Sequence, residues 1–184
     1  MTDDSTYPDE VSGPFPRPPT AFEDREGRSI TVRRYDPDDR GALTAMYEAF
    51  DPADRAQGIP PTTEKRITEW LDAITGEETV NVVATHGDDA VGHATLVPDE
   101  PEGTAELAIF VLQAYQHAGI GTRLLKTLLG AGAADGFERV WLSVERWNEP
   151  AISLYEKVGF RASDTESFEH EMAIRLADQT ESTG

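Results

Sequence analysis

The chain has 184 residues, no cysteine and a formal net charge of −19, from 35 acidic and 16 basic side chains. This length predicts one domain with a hydrophobic core, and the lack of cysteine excludes disulfides and catalytic thiols. No apolar run reaches the ~18 residues that span a bilayer, and the acidic start MTDDSTYPDE lacks the apolar core of a secretory signal. No basic patch is available to meet the phosphates of nucleic acid. We therefore expect a cytoplasmic monomer or homodimer that binds neither nucleic acid nor membrane.

The charge balance points to the ionic environment of the protein. Only three of the sixteen basic residues are lysine. A chain this acidic repels itself, and concentrated salt relieves the repulsion by screening. This composition predicts a halophilic protein, and an acidic protein of ordinary salt conditions is the alternative.

Both ends of the chain differ in composition from the middle. Residues 1–27 contain five of the twelve prolines, many acids and no hydrophobic period, and residues 178–184 read DQTESTG. Such segments bury too little apolar surface to offset the entropy of ordering. The sequence therefore predicts flexible tails at 1–27 and 178–184 around one domain at 28–177.

The domain begins with a strand and two helices. A strand over Ser29–Tyr35 precedes a helix in which apolar residues recur at helical spacing from Leu43 to Phe50. Asp38 or Asp39 is its predicted cap. A second helix carries the same period from residue 67 to residue 74 and ends before a glycine.

The rest of the domain alternates strands and helices. A hairpin with strands at 80–85 and 91–97 follows, and then a third strand at 105–112. A helix at 119–134, a strand at 139–144 and a helix at 150–158 come next. Two closing strands begin at residue 160, with a break near 163–167. This order indicates an α/β fold with one mixed sheet of six to seven strands and about four helices.

The segment QHAGIGTR at residues 116–123 opens the third helix. A helix start has free backbone N–H groups that suit an anion, and glycine allows close approach. Leu124 stands where a dinucleotide-binding fingerprint needs its third glycine, and the Gly-Lys-Ser/Thr of a P-loop is absent. Taken alone, the glycine pair favours a tight turn with close helix–sheet packing.

A second motif downstream changes this interpretation. The two motifs, in order and spacing, are Gln116-x-x-Gly119-x-Gly121 and Asn148 with Ala151, Tyr155 and Gly159-Phe160. In these residues the chain resembles the GNAT superfamily of acyl-CoA-dependent N-acyltransferases, over about residues 29–177. Gln113 replaces a proline that is frequent there.

The resemblance implies a fold, a reaction and a cofactor site. It implies a GNAT-like sheet with a splay between the fourth and fifth core strands. It implies transfer of an acetyl group from acetyl-CoA to a primary amine of a small molecule or protein, by direct attack in a ternary complex. A non-catalytic acyl-CoA sensor or interaction module is the alternative. The main chain of Phe110 and Val111 is expected to meet the thioester and its pantetheine arm. The pyrophosphate is expected on the backbone N–H groups of Gln116, His117, Ala118, Gly119, Ile120, Gly121 and Thr122.

The resemblance also implies roles for three further side chains. Tyr155 matches the tyrosine that protonates the departing thiolate, although it also fits a core aromatic. Asn148 matches the asparagine that contacts the arm, and it also fits a helix cap before Pro150. Glu106 is the candidate base, with Glu145 as a rival. It lies four residues before Phe110, about 13 Å along an extended strand, so a bridging water is needed.

No metal is expected. The four histidines do not form a metal-ligand spacing, and H-E-x-x-H is absent.

Overall fold

The computed structural model describes residues 7–50, 61, 63–162 and 169–177. Its strands are β1 (Val11–Ser12), β2 (Thr20–Glu23), β3 (Ser29–Arg34), β4 (Val80–His86), β5 (Asp89–Asp99), β6 (Thr104–Val111), β7 (Arg139–Glu145), β8 (Arg161–Ala162) and β9 (Glu169–Leu176). Its α-helices are α1 (Arg40–Glu48), α2 (Glu64–Ile74), α3 (Ile120–Ala134) and α4 (Glu149–Val158). The strands form one sheet in the order β1-β9-β7-β6-β5-β4-β3-β2, and β8 pairs with β9 outside this path.

The helices cover both faces of the sheet because each has one apolar face. Leu43, Met46 and Tyr47 of α1 pack with α2 in one core cluster. α3, which is apolar on most of its surface, and α4 belong to a larger cluster on the opposite face. The predicted mixed α/β fold is confirmed. The seven predicted strands correspond to β3–β9, and the observed sheet has two more among the described residues.

The predicted cap of α1 is right in position but not in its contacts. Asp39 is the N-cap residue of α1, yet its side chain makes no capping hydrogen bond to this helix. Its carboxylate instead accepts from both terminal nitrogens of Arg33 at 2.6 and 2.7 Å, while Asp36 caps the short 3-10 turn that leads into α1. The charge-assisted hydrogen bonds with Arg33 on β3 therefore take the place of a side-chain cap by Asp39 on α1.

Residues 7–28 form a segment that we call the N-terminal strap. The strap pairs through β1 with β9 at one side of the sheet and through β2 with β3 at the other. Between the two strands it crosses α3 at Gly130, and at the start of β2 the Thr20 hydroxyl oxygen lies 3.0 Å from that of Thr127 on α3. The predicted flexible tail is therefore wrong for residues 7–27, because long-range pairing and packing offset the entropy of ordering. Residues 1–6 and 178–184, and the predicted break near 163–167, lie outside the described residues.

The splay predicted between the fourth and fifth core strands is confirmed. β6 and β7 pair in parallel at only three positions, the last of which joins Glu106 to Trp141. β6 continues beyond this point, paired to β5 as far as Val111 and Gly92. One edge of β6 thus opens into a gap after Glu106, and the strand runs from there toward the start of α3.

Candidate functional site

The gap exposes the main chain of alternate residues of β6. The N–H of Leu112 donates to the carbonyl of Val91 on β5 at 3.0 Å, so these two residues form a hydrogen-bonded pair. Because such pairs alternate in an antiparallel ladder, Phe110 also directs its N–H and C=O toward β5. Ile109 and Val111 direct theirs into the gap. The Gln116 side chain agrees with this, since its Nε2 donates to the Val111 carbonyl at 2.9 Å.

The expectation for the strand main chain is therefore corrected at one residue. Val111 is suitably oriented, whereas the Phe110 main chain is engaged with β5 and Ile109 is the second residue that faces the gap. The Phe110 side chain lies on the α1 and α2 face, with its ring centroid 5.7 Å from Tyr47, 6.2 Å from Phe50 and 5.4 Å from Trp70. It forms an aromatic wall on that side of β6.

The glycine turn presents a run of free backbone donors. None of the six N–H groups from His117 to Thr122 donates a hydrogen bond to any part of the chain that the structure describes. Gly119 sits at the N-cap of α3 with φ 89° and ψ 0°, a left-handed conformation, and His117 has φ 62°. Gln116 departs from the expectation because its N–H donates to the Gln113 carbonyl at 3.3 Å.

This turn has the properties of an anion site. Consecutive N–H groups in a turn with left-handed residues form a concave nest that favours negative charge. α3 adds the positive end of a 15-residue helix. A Cβ built on Gly121 would lie 3.5 Å from Leu154 of α4, so α4 packs close to the first turn of α3. The turn, α4 and the open edge of β6 thus border one region.

Tyr155 is an almost buried side chain of α4. It is 9% exposed, and its ring centroid lies 5.7 Å from that of Phe160. Burial raises the pKa of its hydroxyl to about 12, so the hydroxyl is protonated at neutral pH. Among the described residues the hydroxyl has no hydrogen-bond partner. It is a core aromatic with a free proton donor, so both sequence interpretations remain compatible with its position.

The other predicted side chains occupy different parts of the site. Asn148 is the N-cap of α4, where its Oδ1 accepts from the Ala151 N–H at 3.4 Å. Glu106 lies where β6 and β7 separate. Burial, and then the charge of Asp99, raise the pKa of its carboxyl, which brings it nearer to the range of a general base. Glu145 lies at the far end of β7.

Two residues at this site were missed in the sequence. Ile109 could have been found from the two-residue period of a strand, because it must face the same edge as Val111. Arg25 belongs to the strap, and its guanidinium Nη1 donates to the His117 carbonyl at 3.4 Å. No local pattern in the sequence links it to the glycine turn.

Two other kinds of feature are absent from the residues that the structure describes. These residues contain no group of three or more His, Asp or Glu side chains arranged to hold a metal ion. No helix among them is both long and apolar enough to cross a membrane.

Comparison with known proteins identifies the family. The model of the acetyltransferase (GNAT) family matches residues 43–160, which is more than half of the chain. The chain therefore belongs to the acetyltransferase (GNAT) family.

Curated relatives are similar over part of their length. An uncharacterized N-acetyltransferase of Mycobacterium tuberculosis is 29% identical over 103 residues, covering 56% of this chain and 64% of the relative. A mycothiol acetyltransferase of Nocardia farcinica is 30% identical over 134 residues, covering 73% of this chain and 42% of the relative. The chain thus spans less than two thirds of the length of either relative.

Solved structures share the fold. The GNAT domain of S. lividans PAT superposes with a TM-score of 0.75 at 19% identity, covering 86% of this chain and 97% of that domain. An acetyltransferase from Salmonella typhimurium, solved with acetyl-CoA, gives a TM-score of 0.67 at 20% identity, with 82% and 95% covered. At these identities the likeness shows the fold alone.

Proposed function

We propose that this protein is an N-acetyltransferase that moves an acetyl group from acetyl-CoA to a primary amine of a small molecule or protein. The observation that carries the proposal is the run of six N–H groups, His117 to Thr122, that have no partner in the described part of the chain and lie at the end of an open strand edge. A diphosphate fits the N–H run, and the amide-containing pantetheine arm fits the edge formed by Ile109 and Val111. Family membership supports the same assignment.

The residues at the gap are suited to direct attack of an amine on a thioester in a ternary complex. The thioester supplies an activated carbonyl carbon. The N–H groups of Val111 and Ile109 face the gap and are available to a carbonyl oxygen that gains negative charge. Tyr155 keeps its proton at neutral pH and can pass it to the departing sulfur. Glu106, with its raised pKa, can take a proton from the amine through a water molecule.

The acceptor is proposed only as a class. One relative is named for mycothiol and a solved relative for spermidine, while another is an N-alpha-acetyltransferase. All three names are compatible with an amine acceptor. The net charge of −19 favours a cationic amine by long-range attraction.

A non-catalytic acyl-CoA-binding module is the second candidate. It is favoured by one observation, the near-complete burial of Tyr155 beside Phe160. The two candidates differ in turnover and agree in binding. Purified protein should therefore be tested with acetyl-CoA against a panel of polyamines, amino sugars and peptides with free N-termini, with free thiol release as the readout. Thiol release that depends on an acceptor supports the enzyme, whereas calorimetric binding without release on any acceptor supports the module.

The cofactor assignment has its own test at Gly121. Gly121 lies in the first turn of α3, next to the region proposed for the diphosphate, and its Cβ position is 3.5 Å from Leu154 of α4. Gly121→Glu should weaken acetyl-CoA binding in calorimetry by at least tenfold more than Gly121→Gln, because the two side chains differ only in charge and a carboxylate repels phosphate. Equal affinities of the two variants would contradict a diphosphate at this turn.

A further inference from the structure

The strap makes a tight turn beside the glycine turn. We call residues 24–28 the Asp24 turn. Asp24 is 7% exposed, and its Oδ1 accepts from the N–H groups of Glu26 and Arg28 at 3.0 and 2.9 Å. Its Oδ2 accepts from Arg28 Nε at 2.7 Å, and its own N–H donates to the Arg28 carbonyl at 2.9 Å. One buried carboxylate therefore holds the turn in a single shape.

The Asp24 turn contacts three carbonyl groups of the connection between β6 and α3. The Arg25 N–H donates to Ala118 O at 3.0 Å, and Arg25 Nη1 donates to His117 O at 3.4 Å. Arg28 Nη1 donates to Ala114 O at 3.2 Å, and its guanidinium carbon lies 4.1 Å from the centre of the Tyr115 ring. The Asp24 turn thus contacts most of the connection, from residue 114 to residue 118, on the side where these three carbonyl groups point.

These contacts decide which way the free N–H groups point. In a planar trans peptide the C=O of one residue and the N–H of the next point in opposite directions. Because the carbonyls of His117 and Ala118 face the Asp24 turn, the N–H groups of Ala118 and Gly119 face away from it. A positive guanidinium on the carbonyl side also polarises the His117–Ala118 peptide and strengthens its N–H as a donor.

We propose that the Asp24 turn holds the glycine turn in its anion-binding conformation and that Arg25 is a positioning residue for the cofactor diphosphate. This inference rests on the proposed function, because it concerns the same cofactor site. Arg25 acts through the loop carbonyls, on the side opposite to the diphosphate.

The experiment compares two ligands by calorimetry on the full chain. Acetyl-CoA carries the diphosphate, and S-acetylpantetheine lacks it. Arg25→Ala should weaken acetyl-CoA binding about 3- to 10-fold, the range expected for the net contribution of one exposed hydrogen bond. It should leave the affinity for S-acetylpantetheine and the melting temperature unchanged. Arg25→Lys keeps the charge and a donor, and should recover most of the lost affinity.

Two further variants refine the test. Arg40→Ala is a matched control, because Arg40 also donates to a backbone carbonyl, that of Thr68 at 2.8 Å, but lies between α1 and α2. It should not change acetyl-CoA binding. Asp24→Ala removes the acceptor of three hydrogen bonds and should weaken acetyl-CoA binding more than Arg25→Ala does. If Asp24→Ala does not fold, the variants Arg25→Ala and Arg25→Lys still test the positioning role.

The outcomes separate this inference from the proposed function. A parent protein that binds no acetyl-CoA overturns both. A parent that binds, with an Arg25→Ala variant of equal affinity, overturns only the positioning role. An equal loss of affinity for both ligands in Arg25→Ala also overturns it, since a general structural defect does not distinguish them.

Discussion

Gly130 lies in the middle of α3 at the point where the strap crosses the helix. A Cβ built on Gly130 would lie 1.9 Å from the Pro16 carbonyl oxygen, 2.6 Å from the Pro16 carbonyl carbon and 2.9 Å from the Phe15 oxygen. All three atoms belong to the backbone of the strap. No rotation of a side chain can relieve such a contact. The change Gly130→Ala therefore forces the strap and the helix apart.

The size of the stability change in Gly130→Ala follows from two opposing effects. In an open helix interior, replacing glycine by alanine stabilises the fold by about 1 kcal/mol. At Gly130 the strap must move about 1.5 Å to restore an ordinary contact of about 3.4 Å, and overpacking of this kind costs about 1–3 kcal/mol. An approach of 1.9 Å to rigid backbone places the cost in the upper part of this range, at about 2–3 kcal/mol, so the net loss is about 1–2 kcal/mol. Since each kcal/mol shifts the melting temperature of a chain this size by about 2–4 °C, we expect a decrease of about 2–8 °C.

Gly41 provides the matched control for the thermal melt. It lies in α1, and a Cβ there has no neighbour within 4 Å. Gly41→Ala should leave the melting temperature unchanged or raise it slightly, in line with helix propensity alone. A melting temperature of Gly130→Ala at or above that of the parent would refute the tight crossing of strap and helix.

Three further predictions concern catalysis, acid stability and salt. Tyr155→Phe should lower the turnover rate about 10²- to 10⁴-fold, with acetyl-CoA affinity and melting temperature nearly unchanged because the hydroxyl has no hydrogen-bond partner among the described residues; equal turnover, where chemistry limits the rate, removes Tyr155 from the mechanism. His93 is fully buried. Its Nδ1 forms a hydrogen bond of 2.5 Å with the Tyr47 hydroxyl, and its Nε2 forms one of 2.7 Å with Asn81 Oδ1. Burial lowers the pKa of His93 to about 3. Because the unfolded pKa is about 6.5, the neutral form is favoured in the fold, so the stabilisation is complete above pH 6.5 and is lost as the pH falls toward 3, by about 2 kcal/mol at pH 5. His93→Gln does not titrate and should show a shallower loss of unfolding free energy between pH 7 and 5 than the parent, whereas identical slopes would exclude His93 as the cause. The melting temperature should rise between low and molar KCl, because the Debye length falls from ~10 Å at 0.1 M to ~3 Å at 1 M; a flat or falling curve contradicts the halophilic interpretation of the charge of −19.

Elements with a local signal could be predicted from the amino-acid sequence. The helical period from Leu43 to Phe50 needed no tertiary information, because one buried face imposes it. The hairpin around Gly87 needed none either, because a glycine-containing turn separates two apolar runs. The two motifs around Gly119 and Tyr155 identified the family and hence the splayed sheet. The prediction of an anion site at this turn could also be made from the sequence, since a helix start and two glycines already imply free N–H groups.

Which atoms face the site depends on contacts between distant parts of the chain. The direction in which the N–H and C=O groups of Phe110 and Val111 point depends on which residues of β6 form hydrogen-bonded pairs with β5. The sequence of either strand alone does not specify this pairing. The order of the strap could not be predicted from the sequence for a related reason. Its order rests on contacts with partners more than a hundred residues away, such as Thr127 and Gly130 on α3, and a proline-rich segment with two short strands has no period that reveals them. Arg25 reaches the glycine turn only because those distant contacts carry it there.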